Sequence, residues 1–174
     1  MIFAVSVLLV VPLAESLANA QCVPAVCALA ISVQSDASGL ALGGSGTAAA
    51  SMSFGTMRAF GGTVPSGVTR TVTGSTWTIS TPFDVQVTCS NLLTLLPCTL
   101  LLSPTFTLTA QLQSSDVTNT WKINSLALNS STATTLVSAG SYGVASSYTF
   151  ALTIPFAESP GIVSNTINFV AVAN

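Results

Sequence analysis

From Tyr148 to Phe156 the chain alternates by parity. Tyr148, Phe150, Leu152, Ile154 and Phe156 take one face, and Thr149, Ala151 and Thr153 the other. A period of two held this long is the mark of a strand with one buried face. Glu158-Ser159-Pro160-Gly161 follows, where Pro-Gly supplies a fixed φ and then a residue free to take positive φ, a turn signal. A second apolar run, from Ile162, sets Ile167 and Phe169 on one face and Val170 and Val172 on the other. Apolar character on both faces predicts a strand inside a sheet or under a cover. The two runs read as a β-hairpin, or as neighbouring strands of two facing sheets.

The same alternation recurs upstream. It places Leu29, Ile31 and Val33 together in 28–35, and Met52 with Phe54 in 51–57. Trp77 joins Ile79, and Phe83, Val85, Val87 and Cys89 share a face, as do Phe106, Leu108, Ala110 and Leu112. Trp121 and Ile123 open a strand that Leu126 and Leu128 continue after a bulge at Asn124-Ser125. Leu136-Val137 is a short strand. Pro65-Ser66-Gly67 marks a turn, and Gly74-Ser75 a type II′ hairpin. Pro82 either separates two strands or bends one at a sheet edge. Residues 36–50, rich in Gly, Ala and Ser, read as a flexible loop. These signals predict an all-β, immunoglobulin-like antiparallel β-sandwich of about nine to eleven short strands. It forms a single domain over 21–174, preceded by a cleaved signal peptide over 1–20.

That signal peptide rests on the apolar run 2–14, broken by Pro12, and on the small-x-small site Ala18-Asn19-Ala20 before Gln21. No Lys or Arg precedes the run, as a start codon assigned too late would give. Asn19-Ala20-Gln21 before Cys22 lacks the triplet that lipidation needs. Export is therefore expected, to a secreted, periplasmic or cell-surface location, with no membrane span after cleavage. In an oxidising compartment Cys22, Cys27, Cys89 and Cys98 are disulfide candidates. Four cysteines allow three connectivities; the local pairs Cys22–Cys27 and Cys89–Cys98 are preferred, since Pro24 and Pro97 bend the short segments between them. Zinc is disfavoured, because the spacings lack tight C-x2-C knuckles and no His assists.

Composition narrows the chemistry. Charged residues make up 5% of the chain, against about 25% in ordinary domains. The surface must therefore be built from Thr, Ser, Asn, Gln and Gly. A net charge of −2 offers no basic patch for nucleic acid, and it leaves little repulsion against self-association. The chain has no His, which removes the commonest general base and metal ligand. Ala139-Gly140-Ser141-Tyr142-Gly143 superficially matches a nucleophile elbow, but without a His partner it reads as a tight turn before a strand. Asp36, Asp84, Asp116 and Glu158 read as solvated carboxylates rather than a glycosidase pair. No phosphate loop follows Gly46, and no cofactor is implied. Asn129-Ser130-Ser131 is a glycosylation sequon.

Two features point to a contact surface. Between Cys89 and Cys98 the segment is unusually apolar, with Leu92, Leu93, Leu95 and Leu96. It either folds onto the core, the preferred reading, or leaves a patch for a partner or ligand. Among the aromatics, Trp77 and Trp121 fall on apolar faces, so Tyr142 in its Gly-flanked turn is the one expected at the surface.

Met52-Ser53-Phe54-Gly55-Thr56, taken with Ile154-Pro155-Phe156, Pro160-Gly161 and Asn165-Thr166-Ile167-Asn168-Phe169, resembles secreted bacterial pilin-like sandwiches of the spore-coat-U type. Those carry a comparable early FGT strand and a C-terminal IP…G hairpin. The likeness covers about a quarter of the chain, which ends Ala-Val-Ala-Asn rather than in an aromatic. The resemblance implies a secreted immunoglobulin-like sandwich, surface assembly and no catalytic residues. The expected function is therefore non-catalytic: an exported structural or adhesive surface protein, such as a fibre or coat subunit, that associates with itself or with other surface proteins. Under that reading 28–35 is either the first strand of its own sheet, the preferred alternative, or a strand donated to a neighbour. The second expectation is a carbohydrate- or small-ligand-binding module using Tyr142 or a groove beside 92–96. An enzyme is least expected.

Overall fold

The computed structural model describes residues 27–34, 40–43, 47–50, 58–91, 105–157 and 163–174. The signal peptide, Cys22, Asp36, the 51–57 strand, Leu92, Leu93, Leu95, Leu96, Cys98 and the 158–161 turn lie outside the described residues.

The strands are β1 (Cys27–Gln34), β2 (Leu40–Gly43), β3 (Thr47–Ala50), β4 (Thr69–Thr73), β5 (Thr76–Asn91), β6 (Thr105–Leu112), β7 (Thr120–Ile123), β8 (Leu126–Ala127), β9 (Thr134–Ser141), β10 (Ala145–Pro155) and β11 (Ile167–Ala173). All pair antiparallel in the order β8-β7-β10-β5-β1-β2-β3-β11-β6-β9, with β4 added to β5. The ladder folds into two packed layers, a β-sandwich. One layer holds β8, β7, β10, β5, β1 and β4; the other holds β3, β11, β6 and β9; β2 bridges them. Phe83 of β5 meets Phe169 of β11 across the gap, with ring centroids 6.1 Å apart. A single apolar cluster draws Ile31, Val87, Phe150, Leu108 and Phe169 from both layers.

The alternating segments become the strands that line this core. Tyr148, Phe150, Leu152 and Ile154 are buried on β10, and Phe106, Leu108, Ala110 and Leu112 on β6. Burying such a side chain contributes about 1.5–3 kcal/mol. β10 pairs with β5 and β7, whereas β11 pairs with β3 and β6. The two C-terminal runs are thus strands of facing sheets rather than partners in a hairpin.

β5 runs unbroken through Pro82, and the backbone explains why. Thr149 accepts from Asn124 N–H at 2.7 Å and donates to Asn124 Oδ1 at 2.9 Å, so it spends both backbone groups on the β7 side. Its cross-strand partner Pro82 must then turn its backbone away from β10. There β4 pairing ends at Ser80 and β1 pairing begins at Asp84. A missing N–H costs no ladder bond in that gap.

Several expectations are corrected. Within 36–50, β2 and β3 replace the flexible loop: Leu42 faces Ala49 across a hairpin, Ala41 pairs with Val33, and Ala50 with Ile167. β3 is almost all Ala and gives no alternation to read, and in β2 only Leu40 and Leu42 alternate, too short a run among Gly, Ala and Ser to mark a strand. The bulge at Asn124-Ser125 is a hairpin turn between β7 and β8, possible because Asn124 adopts a φ of 54°. Leu136-Val137 belongs to the longer strand β9, which takes in Ala139, Gly140 and Ser141. The turn comes after it, at Gly143, with φ 76°. The turns at Gly67 and Gly74 stand as expected, at φ 77° and 57°, with Val68 N–H donating to Pro65 O at 3.1 Å. β11 lies inside its sheet between β3 and β6, one of the two alternatives expected for it, and buries Ile167 and Phe169, but Val172 is 59% exposed.

Candidate functional site

The strongest surface feature lies at the end of the first layer where β4 is attached. Val72 pairs with Trp77 and Trp77 with Ile154, so these three form a row across β4, β5 and β10 on the core-facing side. Exposure rises along it. Ile154 is buried, Trp77 half-buried and Val72 39% exposed. Arg70, opposite buried Ile79, stands on the same face two residues before Val72.

A loop is tied to this face through Arg70. The Arg70 Nη1 donates to Arg58 O at 2.7 Å and to Gly61 O at 2.6 Å. Those bonds pin a segment whose Gly61 and Gly62 sit at φ 64° and 74°. Phe60, between the two acceptors Arg58 and Gly61, is 68% exposed and stacks on Phe156 with centroids 5.5 Å apart and planes inclined by 20°. Phe156 was expected on the buried face with Ile154, but it is 39% exposed. The β5–β10 ladder ends at the Pro155–Thr76 pair, so no core lies opposite it, and its N–H instead donates to Ser75 O at 2.9 Å. The result is an aromatic ledge at a loop held by the Arg70 guanidinium, one of the chain's three cationic side chains. It can offer apolar stacking, cation–π contact and charge-assisted hydrogen bonds to one ligand.

The residues singled out in the sequence fall elsewhere. Tyr142 is half-buried, not an exposed platform. Its ring packs 5.2 Å from Phe106 and its hydroxyl donates to Thr105 O at 3.3 Å. Trp121 is buried against Phe150, and its indole N–H donates to Asp116 Oδ2 at 2.7 Å. Asp116 also accepts from the N–H groups of Thr118 and Asn119 and from the Asn119 side chain. Burial pushes its carboxyl upward, but these donors outweigh burial and hold it below the usual carboxylate range. It is the tether of the β6–β7 loop. Asp84 lies outward on β5 and accepts from Ser147 Oγ at 2.5 Å.

Cys89 is half-buried opposite Leu29, and Cys27 stands opposite Asn91. Each of the two expected local pairs has its other member outside the described residues, as do Leu92, Leu93, Leu95 and Leu96. Among the described residues no group of three or more His, Cys, Asp or Glu gathers to hold a metal.

Phe60 went unread in the sequence. The available signal was an aromatic set between Arg58-Ala59 and Gly61-Gly62, in a stretch with no alternation to carry it inward. No protein-family model, curated protein or solved structure matches the chain.

Proposed function

We propose that this chain is an exported, non-catalytic surface protein with a structural or adhesive role, and that its contact is made by the Phe60–Phe156 ledge. The observation that carries this reading is the ledge itself. Two stacked phenylalanines are exposed beside a sheet whose opposite face presents hydroxyls, such as the Thr78–Thr153 pair at 2.8 Å. An exposed aromatic cluster of this kind marks an interaction surface, and the Arg70 guanidinium that holds its loop adds charge where the chain has little. β1 supports assembly by surface contact rather than by strand donation, since it is paired to β5 along its whole length in its own sheet. The disulfides expected from Cys22, Cys27, Cys89 and Cys98 would form during export.

The test is light scattering of the oxidised protein over a dilution series, together with cell fractionation, for wild type and Phe60→Ser/Phe156→Ser. Export with multimers, or with binding to other surface proteins, that the double substitution abolishes is expected. Retention inside the cell would overturn export. Monomers that bind no surface protein but give glycan-array signals would favour the carbohydrate module instead.

A further inference from the structure

We infer that the open edge of β4 binds an extended peptide of another protein, one that carries a carboxylate and an apolar side chain two residues apart. This rests on the surface-contact reading and names its partner.

The argument begins with backbone direction. Pro82 turns its backbone toward the gap between β4 and β1, so Ser80, Thr78 and Thr76, which share its parity, turn theirs toward β4. Their partners Thr69, Thr71 and Thr73 therefore form the hydrogen-bonded pairs of that ladder. Arg70 and Val72, of the opposite parity, direct N–H and C=O groups outward. Among the described residues β4 pairs with β5 alone. These four groups make an edge able to accept one more strand.

The face beneath the edge sets the sequence preference. An added strand places alternate side chains on the face where Arg70 and Val72 stand. One neighbour is the Arg70 guanidinium, which holds the 58–61 loop through Nη1 and has no further partner for its other nitrogens among the described residues. A carboxylate complements it. The next position on that face, two residues along, meets exposed Val72 and calls for an apolar side chain. Of the two carboxylates in the described residues, Asp84 bonds Ser147 and Asp116 is bound within the β6–β7 loop. Neither neutralises this patch. An inward-facing Arg is also a device that discourages edge pairing, but here it is selective: it rejects basic or uncharged partners and admits acidic ones.

The probe is the fluorescein-labelled peptide TVTDTVT, with TVTKTVT as its charge-reversed control, titrated into the full oxidised chain at low salt and followed by anisotropy. The Asp peptide is expected to bind roughly tenfold or more tightly than the Lys peptide. Val72→Pro removes one outward N–H at a position where an edge strand tolerates proline. It should cut binding by a similar factor while leaving the unfolding midpoint unchanged. Equal binding of the two peptides, indifference to Val72→Pro, or no binding up to millimolar peptide overturns the inference. So does self-association that Val72→Pro abolishes while the peptide fails to bind, since the occupant is then a second copy. If export and ledge-dependent contact survive while the peptide does not bind, this inference alone falls.

Discussion

Gly140 on β9 stands directly opposite Phe106 on β6. A methyl group built at Gly140 would lie 2.4 Å from Cζ, 2.6 Å from Cε2 and 2.9 Å from Cε1 of the Phe106 ring. The ring lies over the glycine and shields its backbone, a cross-strand arrangement that compensates for the missing side chain. Gly140 lies outside the left-handed region, so replacement by Ala strains no dihedral and only the clash decides. The ring has little room to yield, being buried and packed against Tyr142, which is itself anchored to Thr105 O. Overpacking of this kind costs about 1–3 kcal/mol, offset by about 0.4–1 kcal/mol from a less flexible unfolded chain. Gly140→Ala is therefore expected to destabilise by about 1–2 kcal/mol, or roughly 2–8 °C in Tm for a domain of this size. Urea unfolding followed by tryptophan fluorescence measures it. Phe106→Ala alone should cost about 3–5 kcal/mol, and in that background Gly140→Ala should turn stabilising. A Gly140→Ala protein as stable as wild type, or the same sign in both backgrounds, would refute the steric argument.

Asp116 sets a second expectation. Its folded carboxyl titrates below the unfolded one, so its contribution is present above about pH 4 and is lost as pH falls through the folded value. Asp116→Asn should flatten that acid limb in pH-dependent urea unfolding. Asp116→Ala should cost about 1–3 kcal/mol at neutral pH by stranding the Trp121 indole N–H, with a change in Trp121 fluorescence. At the β4–β5 turn nothing lies within 4 Å of a methyl group built at Gly74. Gly74→Val should therefore lower stability through its φ of 57° alone, by about 1–2 kcal/mol, and Gly74→Asn should recover most of that in the same assay.

The sandwich was legible wherever one face of a strand is buried and the other is wet. β5, β6 and β10 announce themselves because Phe83, Phe106 and Phe150 recur at even spacing among Thr, Gln and Ser. β2 and β3 do not, since the Ala of β3 carries no facial preference and the two leucines of β2 are too short a run, while their pairing is with Val33 and Ile167, distant in sequence or across a loop. The two apolar faces of β11 predict a strand inside a sheet or under a cover. It lies inside its sheet between β3 and β6, while Val172 stays exposed, since hydropathy cannot tell a hidden face from an apolar one left open. Tyr142 looked free because its glycine neighbours were visible and Phe106, distant in sequence, was not. Phe156 followed a correct parity past the point where its partner strand stops. The ledge depends on that ending and on a loop held from Arg70, neither of which is a local property.

The pairing of β3 with β11 has a consequence for how the molecule is made. Ala50 must meet Ile167, and Leu112 must meet the same residue from the other side. On a ribosome β11 is synthesised after both strands it joins, and Phe169, among the most deeply buried side chains, arrives with it. Until then β3 and β6 have no common partner and the second layer has no centre. Such distant pairings fold slowly. The second layer therefore stays open until β11 has been translated, which leaves the apolar face of β6 uncovered until then.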